Sequence, residues 1–300
     1  MCKMNFFKEL KDFNIPFHKN WDAGKHSNFK IGGKITAMIE IYKISQMMDA
    51  MRILNTYKKR YFVIGNLTNV LISDGYLDVI FIRLKGDFEK ILWNRKNLIF
   101  VGAGVSNEKL LKFMVKNNLG GLEFLAGIPG TIGGAVYMNA GAYGKLIGDY
   151  IIDILILDRK GRFKVVQNKN IFSYRNSIFQ KDRSVILGAE IKVFSKDKKK
   201  VLKEIKEIIS IRRAKHPWKA ACAGSFFKNT DKFPAGMLIE DAGLKGFSVG
   251  GAMVSKMHGN FIINKGDATF KDVIKLANII KNKVYKKYKI KLKEEVVIIK

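Results

Sequence analysis

The 300-residue chain is predicted to be α+β. Short runs rich in Val and Ile recur along it, and three segments carry apolar residues at helical spacing. The two kinds do not alternate in the regular order that a parallel βαβ sheet requires. The strand-like runs are Tyr61 to Ile64, Leu77 to Leu84, Leu98 to Val101, Ile151 to Leu157, Val185 to Phe194, Phe261 to Ile263 and Val296 to Ile299.

The first helix begins behind Ser106, whose hydroxyl suits an N-cap, and runs to about Asn118 with Leu110, Leu111 and Met114 inward. The second, from about Lys198 to Ala214, aligns Val201, Leu202, Ile205, Ile208 and Ile209 on one face. It stops ahead of His216-Pro217, because a residue preceding proline avoids the α region. The third begins behind Thr269, with Asp272 completing a capping-box-like pair, and repeats Phe270, Val273, Ile274, Ala277, Ile280 and Val284. The charged stretch Ser195 to Lys200 is a candidate domain boundary.

Composition narrows the function classes. Hydrophobic residues at 47% and charged residues at 27% exclude wholesale disorder, a collagen-like fibre and a disulfide mini-protein. No run approaches the roughly 18 apolar residues that cross a bilayer, so no membrane insertion is expected. Met1 to Leu10 intersperse Lys3, Lys8 and Glu9 among apolar residues, so no signal peptide is expected. Cys2 and Cys222 support neither a disulfide framework nor a four-ligand zinc site and suit a reducing, cytoplasmic location. His18, His26, His216 and His258 show no metal-ligand spacing, and no metal is expected.

The net charge is +29, from 45 lysines and ten arginines against 26 acidic residues. The lysines lie almost everywhere, most densely from Lys196 to Lys200. Arginine is the usual choice for bidentate base and phosphate contacts, and neither a zinc-finger spacing nor an RNP1-type aromatic motif is present. The charge therefore reads as a lysine-rich coat that attracts small anions, and no nucleic-acid partner is expected. A basic nucleic-acid-binding protein is the alternative, marked by binding that weakens steeply with salt.

Nine of the 27 glycines fall between Gly120 and Gly148. Glycine weakens regular structure by roughly 0.5–1 kcal/mol relative to alanine, so this density predicts a backbone bent around something. Exposed successive amides would form an anion-binding nest suited to a diphosphate, and a set of tight turns in a small β-domain fits equally well. The segment is neither a G-x-G-x-x-G dinucleotide turn nor a P-loop. A second loop, Val63-Ile-Gly-Asn-Leu-Thr-Asn-Val70, suits a turn with positive φ.

The run Gly121-Leu-Glu-Phe-Leu-Ala-Gly-Ile-Pro-Gly-Thr-Ile-Gly-Gly-Ala-Val-Tyr-Met-Asn-Ala-Gly-Ala-Tyr-Gly144 resembles the flavin-binding signature of the UDP-N-acetylenolpyruvoylglucosamine reductases (UDP-N-acetylmuramate dehydrogenases). Four more segments match in order: Tyr174-Arg-Asn-Ser177, Ala223-Gly-Ser-Phe-Phe-Lys-Asn229, Leu238-Ile-Glu-Asp-Ala-Gly-Leu-Lys-Gly246 and Glu295-Val296. The resemblance runs from about Asn28 to the C-terminus. It implies an N-terminal segment over 1–28, a two-part FAD-binding domain of the vanillyl-alcohol-oxidase (PCMH) type over 29–195, divided near 92, and an α+β substrate-binding domain over 196–300. The short distance from Arg175 to the helix ending near Arg213 resembles the second type, which lacks a tyrosine-bearing loop.

The implied reaction is NADPH-dependent reduction of UDP-N-acetylglucosamine enolpyruvate to UDP-N-acetylmuramate for peptidoglycan synthesis, with hydride passing from flavin N5. A same-fold FAD oxidase acting on another substrate is the alternative within the fold. The resemblance carries catalytic roles to Arg175 as enolate stabiliser, Ser225 as proton donor and Glu295 as second electrostatic partner, since the family pattern sets the acid directly before Val. Cofactor contacts carry to Gly65, Asn66, Leu67, Thr68 and Asn69, and to Gly127, Ile128, Pro129, Gly130, Thr131, Gly133, Gly134, Ala135, Asn139 and Gly141. Tyr174, Lys228 and Asn229 are the implied substrate contacts. No histidine sits in either loop, so the flavin is expected to be non-covalent. The family's first loop usually reads Gly-Gly-Gly-Ser-Asn. Here Asn66 and Leu67 bring side chains beside the expected diphosphate, and leucine adopts left-handed geometry poorly. The oligomeric state is not legible.

Overall fold

The computed structural model describes residues 5–182 and 184–300, so Met1, Cys2 and Lys3 lie outside the described residues. Helices and strands are mixed, as the α+β expectation requires. The chain divides into two compact units that interleave in sequence. One comprises the residues up to Lys19 with Ala37–Gly65 and Asp78–Ile209, the other Asn20–Thr36, Asn66–Leu77 and Ser210–Lys300.

The first unit carries a five-stranded antiparallel sheet in the order Phe163–Gln167, Ile151–Leu157, Val185–Lys192, Leu98–Gly102, Ile91–Trp93. Tyr61–Ile64 pairs in parallel with Tyr76–Leu84, Tyr61 opposite Ile80. The unit's apolar core joins Ile39, Ile53, Ile82, Val101, Leu125 and Ile154, all at most 1% exposed. Four of the expected strands fall where their apolar runs predict, with ends shifted by at most one residue. The expected strand from Val185 to Phe194 breaks after Lys192, and Phe194–Ser195 pairs instead with Leu119–Gly120.

The Asn107–Lys116 helix is capped as expected, the Ser106 hydroxyl accepting from the Lys109 amide at 3.1 Å. The Lys198–Lys215 helix starts behind Asp197, whose carboxylate accepts from the Lys199 and Lys200 amides, and ends just ahead of His216-Pro217. Val201 is its one fully buried residue, and Ile205, Ile208 and Ile209 pack partly buried against the core.

The second unit is built on an antiparallel sheet in the order Ala221–Ser225, Phe261–Asn264, Ala252–Val254, Ser248–Val249. The Phe270–Tyr288 helix buries Val273, Leu276, Ala277, Ile280 and Val284 in a core shared with Phe226, Phe227 and Ile262. Its capping box is formed as expected: the Thr269 hydroxyl accepts from the Asp272 amide at 3.1 Å and the Asp272 carboxylate from the Thr269 amide at 3.0 Å. Val297–Ile299 adds in parallel to Val70–Ile72. Among the described residues no cluster of His, Cys, Asp and Glu has metal-binding geometry, and no helix is long and apolar enough to cross a membrane.

His216 and His258 take part in this unit's packing. The His216 ring lies 5.0 Å from that of Phe261 and 5.4 Å from that of His258, whose Nδ1 accepts from the Asn260 amide at 3.1 Å. Burial pushes the His216 imidazole down to about 4, helped by His258, Arg212 and Lys215. Burial also lowers His258, opposed by Glu240 and reinforced by Lys245. The unfolded chain takes up these protons near 6.5, well before the folded one does, so stability is lost as pH falls from there toward 4. Calorimetry should show the unfolding midpoint dropping across that window. His216→Phe, which keeps a ring on Phe261, should flatten the drop.

Candidate functional site

In the first unit, the glycine-rich segment opens with a buried carboxylate. Glu123, 2% exposed, accepts from the Gly121 amide at 2.9 Å and from Lys196 Nζ at 3.0 Å. The chain then enters the Ala126–Thr131 loop, where Gly127 (φ 72°) and Gly130 (φ 135°) adopt backbone angles that side-chain-bearing residues avoid.

The loop carbonyls are claimed from one side. The Asn107 side-chain amide donates to Ile128 O at 3.0 Å and its backbone amide to Gly130 O at 3.1 Å. The Ile132 amide donates to Val105 O at 2.8 Å, so Ser106 and Thr131 oppose each other as a non-hydrogen-bonded pair. In such a pair each residue's own N–H and C=O point away from the partner strand. The Thr131 carbonyl turns into the Ile132–Met138 helix, accepting from Ala135 N at 2.8 Å. Among the described residues the amides of Gly127 and Gly130 make no hydrogen bond.

The other expected contacts divide by what they do. Gly133 donates to Ala103 O at 2.9 Å, and a Cβ there would lie 2.9 Å from the Ala103 Cβ, so this glycine serves close packing. Gly134 donates to the Thr131 hydroxyl that caps the helix, at 3.4 Å. Ala135 is 5% exposed in the core. Asn139 ends the helix in left-handed geometry and is 1% exposed. Its amide is used twice, accepting from the Gly148 amide at 3.0 Å and donating to Ser173 O at 2.9 Å. Gly141 sits where a Cβ would come within 2.3 Å of the Lys145 carbonyl. Gly65, from the Val63–Val70 loop, meets the Ala126–Thr131 loop directly: a Cβ there would lie 2.6 Å from the Thr131 hydroxyl.

Tyr174 and Arg175 form the tip of a hairpin between Phe172–Ser173 and Asn176–Ser177. Arg175 has φ 51°, lies 4.9 Å over the Tyr174 ring, and donates through Nη2 to Gly141 O at 2.9 Å. The unit thus links Gly65, the Gly127–Gly134 loop, Gly141 and Arg175 through neighbouring contacts.

In the second unit, Ser225 ends the Ala221–Ser225 strand just after a register shift at Gly224, which has φ 78°. Asn260, 3% exposed, grips the next two residues. Its carbonyl oxygen atoms accept from the Phe226 and Phe227 amides at 2.8 and 2.9 Å, and its side-chain amide donates to Phe227 O at 2.8 Å. The Glu295 amide donates to Phe226 O at 2.8 Å, and Asn69 Nδ2 donates to Glu295 O at 3.3 Å. Asn28 joins two further segments, its amide donating to Leu67 O at 3.0 Å and its Nδ2 to Cys222 O at 2.8 Å. Loop residues 66–69, Ser225 and Glu295 are therefore brought together within this unit.

Glu294 is separately engaged, its carboxylate accepting from Lys281 Nζ at 2.7 Å. Lys228 donates its amide to Lys293 O at 2.8 Å, and Asn229 uses its side-chain oxygen to accept from the Ala235 amide at 3.0 Å at the start of the Ala235–Asp241 helix. Thr68 is half-buried. Sequence reasoning assigned no role to Asn28, Asn107 or Asn260, whose partners lie far away in the chain.

Leu67 does hold left-handed geometry, with φ 50°, and its side chain is 3% exposed. Burial of a leucine side chain is worth about 1.5–3 kcal/mol, against a left-handed penalty of roughly 1–2 kcal/mol. Leu67→Ala should lose the burial and keep the penalty, whereas Leu67→Gly should lose the burial and shed the penalty. Urea unfolding should rank the parent first, the glycine variant second and the alanine variant last; an alanine variant more stable than the glycine one would contradict this account.

A family model described as the UDP-N-acetylenolpyruvoylglucosamine reductase C-terminal domain matches residues 216–299, and one described as an FAD binding domain matches residues 36–167. The UDP-N-acetylenolpyruvoylglucosamine reductase of Bacillus subtilis is 37% identical over 97% of both chains. That of Alkaliphilus oremlandii is 37% identical over 91% of this chain and 90% of its own. The crystal structure of the Thermus caldophilus enzyme superposes with a TM-score of 0.80 at 29% identity, covering 95% of this chain and 99% of that one. A glucose dehydrogenase, Phl p 4.0202, shares the fold alone over 64% of this chain and 44% of its own, with a TM-score of 0.50 at 13% identity.

Proposed function

Because the chain belongs to the UDP-N-acetylenolpyruvoylglucosamine reductase family and carries its FAD-binding domain, we propose that it reduces UDP-N-acetylglucosamine enolpyruvate to UDP-N-acetylmuramate with NADPH as reductant. The observation that carries the cofactor part is the Gly127–Thr131 loop. Its Ile128 and Gly130 carbonyls are held by Asn107 while the amides of Gly127 and Gly130 are left unclaimed among the described residues, an arrangement that suits an anionic diphosphate. Gly65, Asn66, Leu67, Thr68 and Asn69 are the proposed second set of cofactor contacts.

The net reaction adds a hydride and a proton across the enolpyruvyl double bond. FAD, when bound, supplies the two-electron carrier between NADPH and the sugar nucleotide. Arg175 meets the substrate carboxylate as it gains enolate charge; a guanidinium fork strengthens its hold as that charge grows. Ser225 delivers the proton to the carbon beside the carboxylate. A hydroxyl is a weak acid, and an enolate carbon is basic enough to take its proton. Glu295 acts as the second electrostatic partner. The family pattern, with the acid directly before Val, carries this choice; the Glu294 carboxylate accepts from Lys281 Nζ. Tyr174, Lys228 and Asn229 are the proposed substrate contacts. The location proposed for the enzyme is the cytoplasm, and no nucleic acid is among the proposed partners.

Separating the two half-reactions tests these roles. Anaerobically, Ser225→Ala should let NADPH bleach the flavin at the parent rate while slowing reoxidation by the sugar nucleotide about 10²–10⁴-fold. Near-parent reoxidation would remove Ser225 as the proton donor. Glu295→Gln should slow the same step, and Glu294→Gln should leave it close to the parent; the reverse pattern would transfer the role to Glu294.

A further inference from the structure

We propose that Asn107 is a positioning residue for the cofactor loop, its side chain keeping the Ile128 carbonyl out of the space a phosphate needs and its backbone amide holding Gly130 O so that the Thr131 amide faces the ligand. The inference rests on the proposed binding of the FAD diphosphate by the Gly127–Thr131 loop. Asn107 is the first residue of the Asn107–Lys116 helix and is 2% exposed. With one side chain and one backbone amide it takes both Ile128 O and Gly130 O, the carbonyls on either side of Pro129.

A peptide unit carries C=O and N–H on opposite edges. Holding Gly130 O toward Asn107 therefore turns the Thr131 amide the other way. Proline contributes no N–H, so Ile128 O would be the first carbonyl free to swing into the space a phosphate needs. The side-chain amide of Asn107 prevents that swing.

The rest of the side chain identifies its purpose. Asn107 Oδ1 is buried and accepts no hydrogen bond from the described residues. A buried acceptor left without a protein donor lowers stability, and a leucine of similar shape would avoid it. A residue retained for packing would not carry that burden, whereas a residue retained for its Nδ2 donor must accept it.

The test uses flavin-free protein and two readouts, the unfolding midpoint of the apoprotein and the FAD dissociation constant by flavin fluorescence. Asn107→Leu should leave the midpoint unchanged or raised and should weaken FAD about tenfold through a loop no longer pre-organised. Asn107→Asp sets a charged oxygen against Ile128 O; it should bind FAD worst above neutral pH and recover relative to the parent as its carboxyl gains a proton to donate. Parent-like affinity in Asn107→Leu overturns the inference, as does an affinity loss matched by an equivalent fall in apoprotein stability. Gly130→Ala, at a backbone angle only glycine tolerates, separates the two levels. If it weakens FAD while Asn107→Leu does not, the inference alone fails. If it too binds normally, the loop is not the cofactor site.

Discussion

A peptide unit carries its N–H and C=O on opposite edges, so fixing one aims the other, and the glycine-rich segment is organised around that constraint. Ile128 and Gly130 turn their carbonyls onto Asn107, and the following strand-like step pairs Ile132 with Val105. Holding Gly130 O turns the Thr131 amide away from Asn107, and among the described residues the amides of Gly127 and Gly130 have no internal partner, on backbone angles that L-residues rarely adopt. The short helix behind the loop is not itself the donor set. Its first amides are spent on Val105, Ala103 and the Thr131 hydroxyl, so the bend ahead of the helix is where an anion finds N–H groups.

The second unit solves a different problem with the same kind of contact. Ser225 lies on a strand interrupted by a register shift, a place where a hydroxyl can leave the ladder but would drift without support. Asn260 supplies that support by pairing with Phe226 and Phe227 as a neighbouring strand would, and Glu295 adds its amide to Phe226 O. Asn28 ties the Leu67 loop to the same strand. Chemistry-bearing side chains on short loops need such a rigid setting, because a small misplacement costs much of the rate.

The regular elements were legible wherever periodicity and caps agreed. The Thr269–Asp272 capping box and the Ser106 cap are formed as their residues imply, and the Lys198–Lys215 helix stops where Pro217 forbids its continuation. Other elements gave weaker signals. The Ile44–Thr56 helix starts behind Lys43, with Gln46 accepting from the Tyr42 and Lys43 amides in place of a Ser, Thr, Asp or Asn cap. The Lys34–Ile41 strand is buried on both faces, so it lacks the alternation that marks a half-exposed strand. The strand expected through Phe194 ends at Lys192 because its last residues take a different partner, Leu119–Gly120, which no local pattern announces.

The candidate site was legible to a different depth. Glycine density pointed to a bent segment, and the resemblance supplied the named residues. Neither could tell that Gly133 and Gly141 serve close packing, that the Asn139 amide is consumed internally, or that Leu67 buries its side chain. Asn107, Asn28 and Asn260 were invisible because each acts on carbonyls or amides 21, 194 and 33 positions away. Long-range pairing of this sort leaves no periodic trace.

Hydrogen exchange of the backbone amides, with and without FAD, addresses the loop most directly. Unclaimed donors exchange readily and become protected when a phosphate accepts from them. FAD-dependent slowing should concentrate at Gly127, Gly130 and Thr131 and at Asn66, Leu67 and Asn69, with the already bonded Ile128 and Gly133 little changed. Protection confined to other segments, or FAD binding that leaves these amides as exposed as before, would contradict this account.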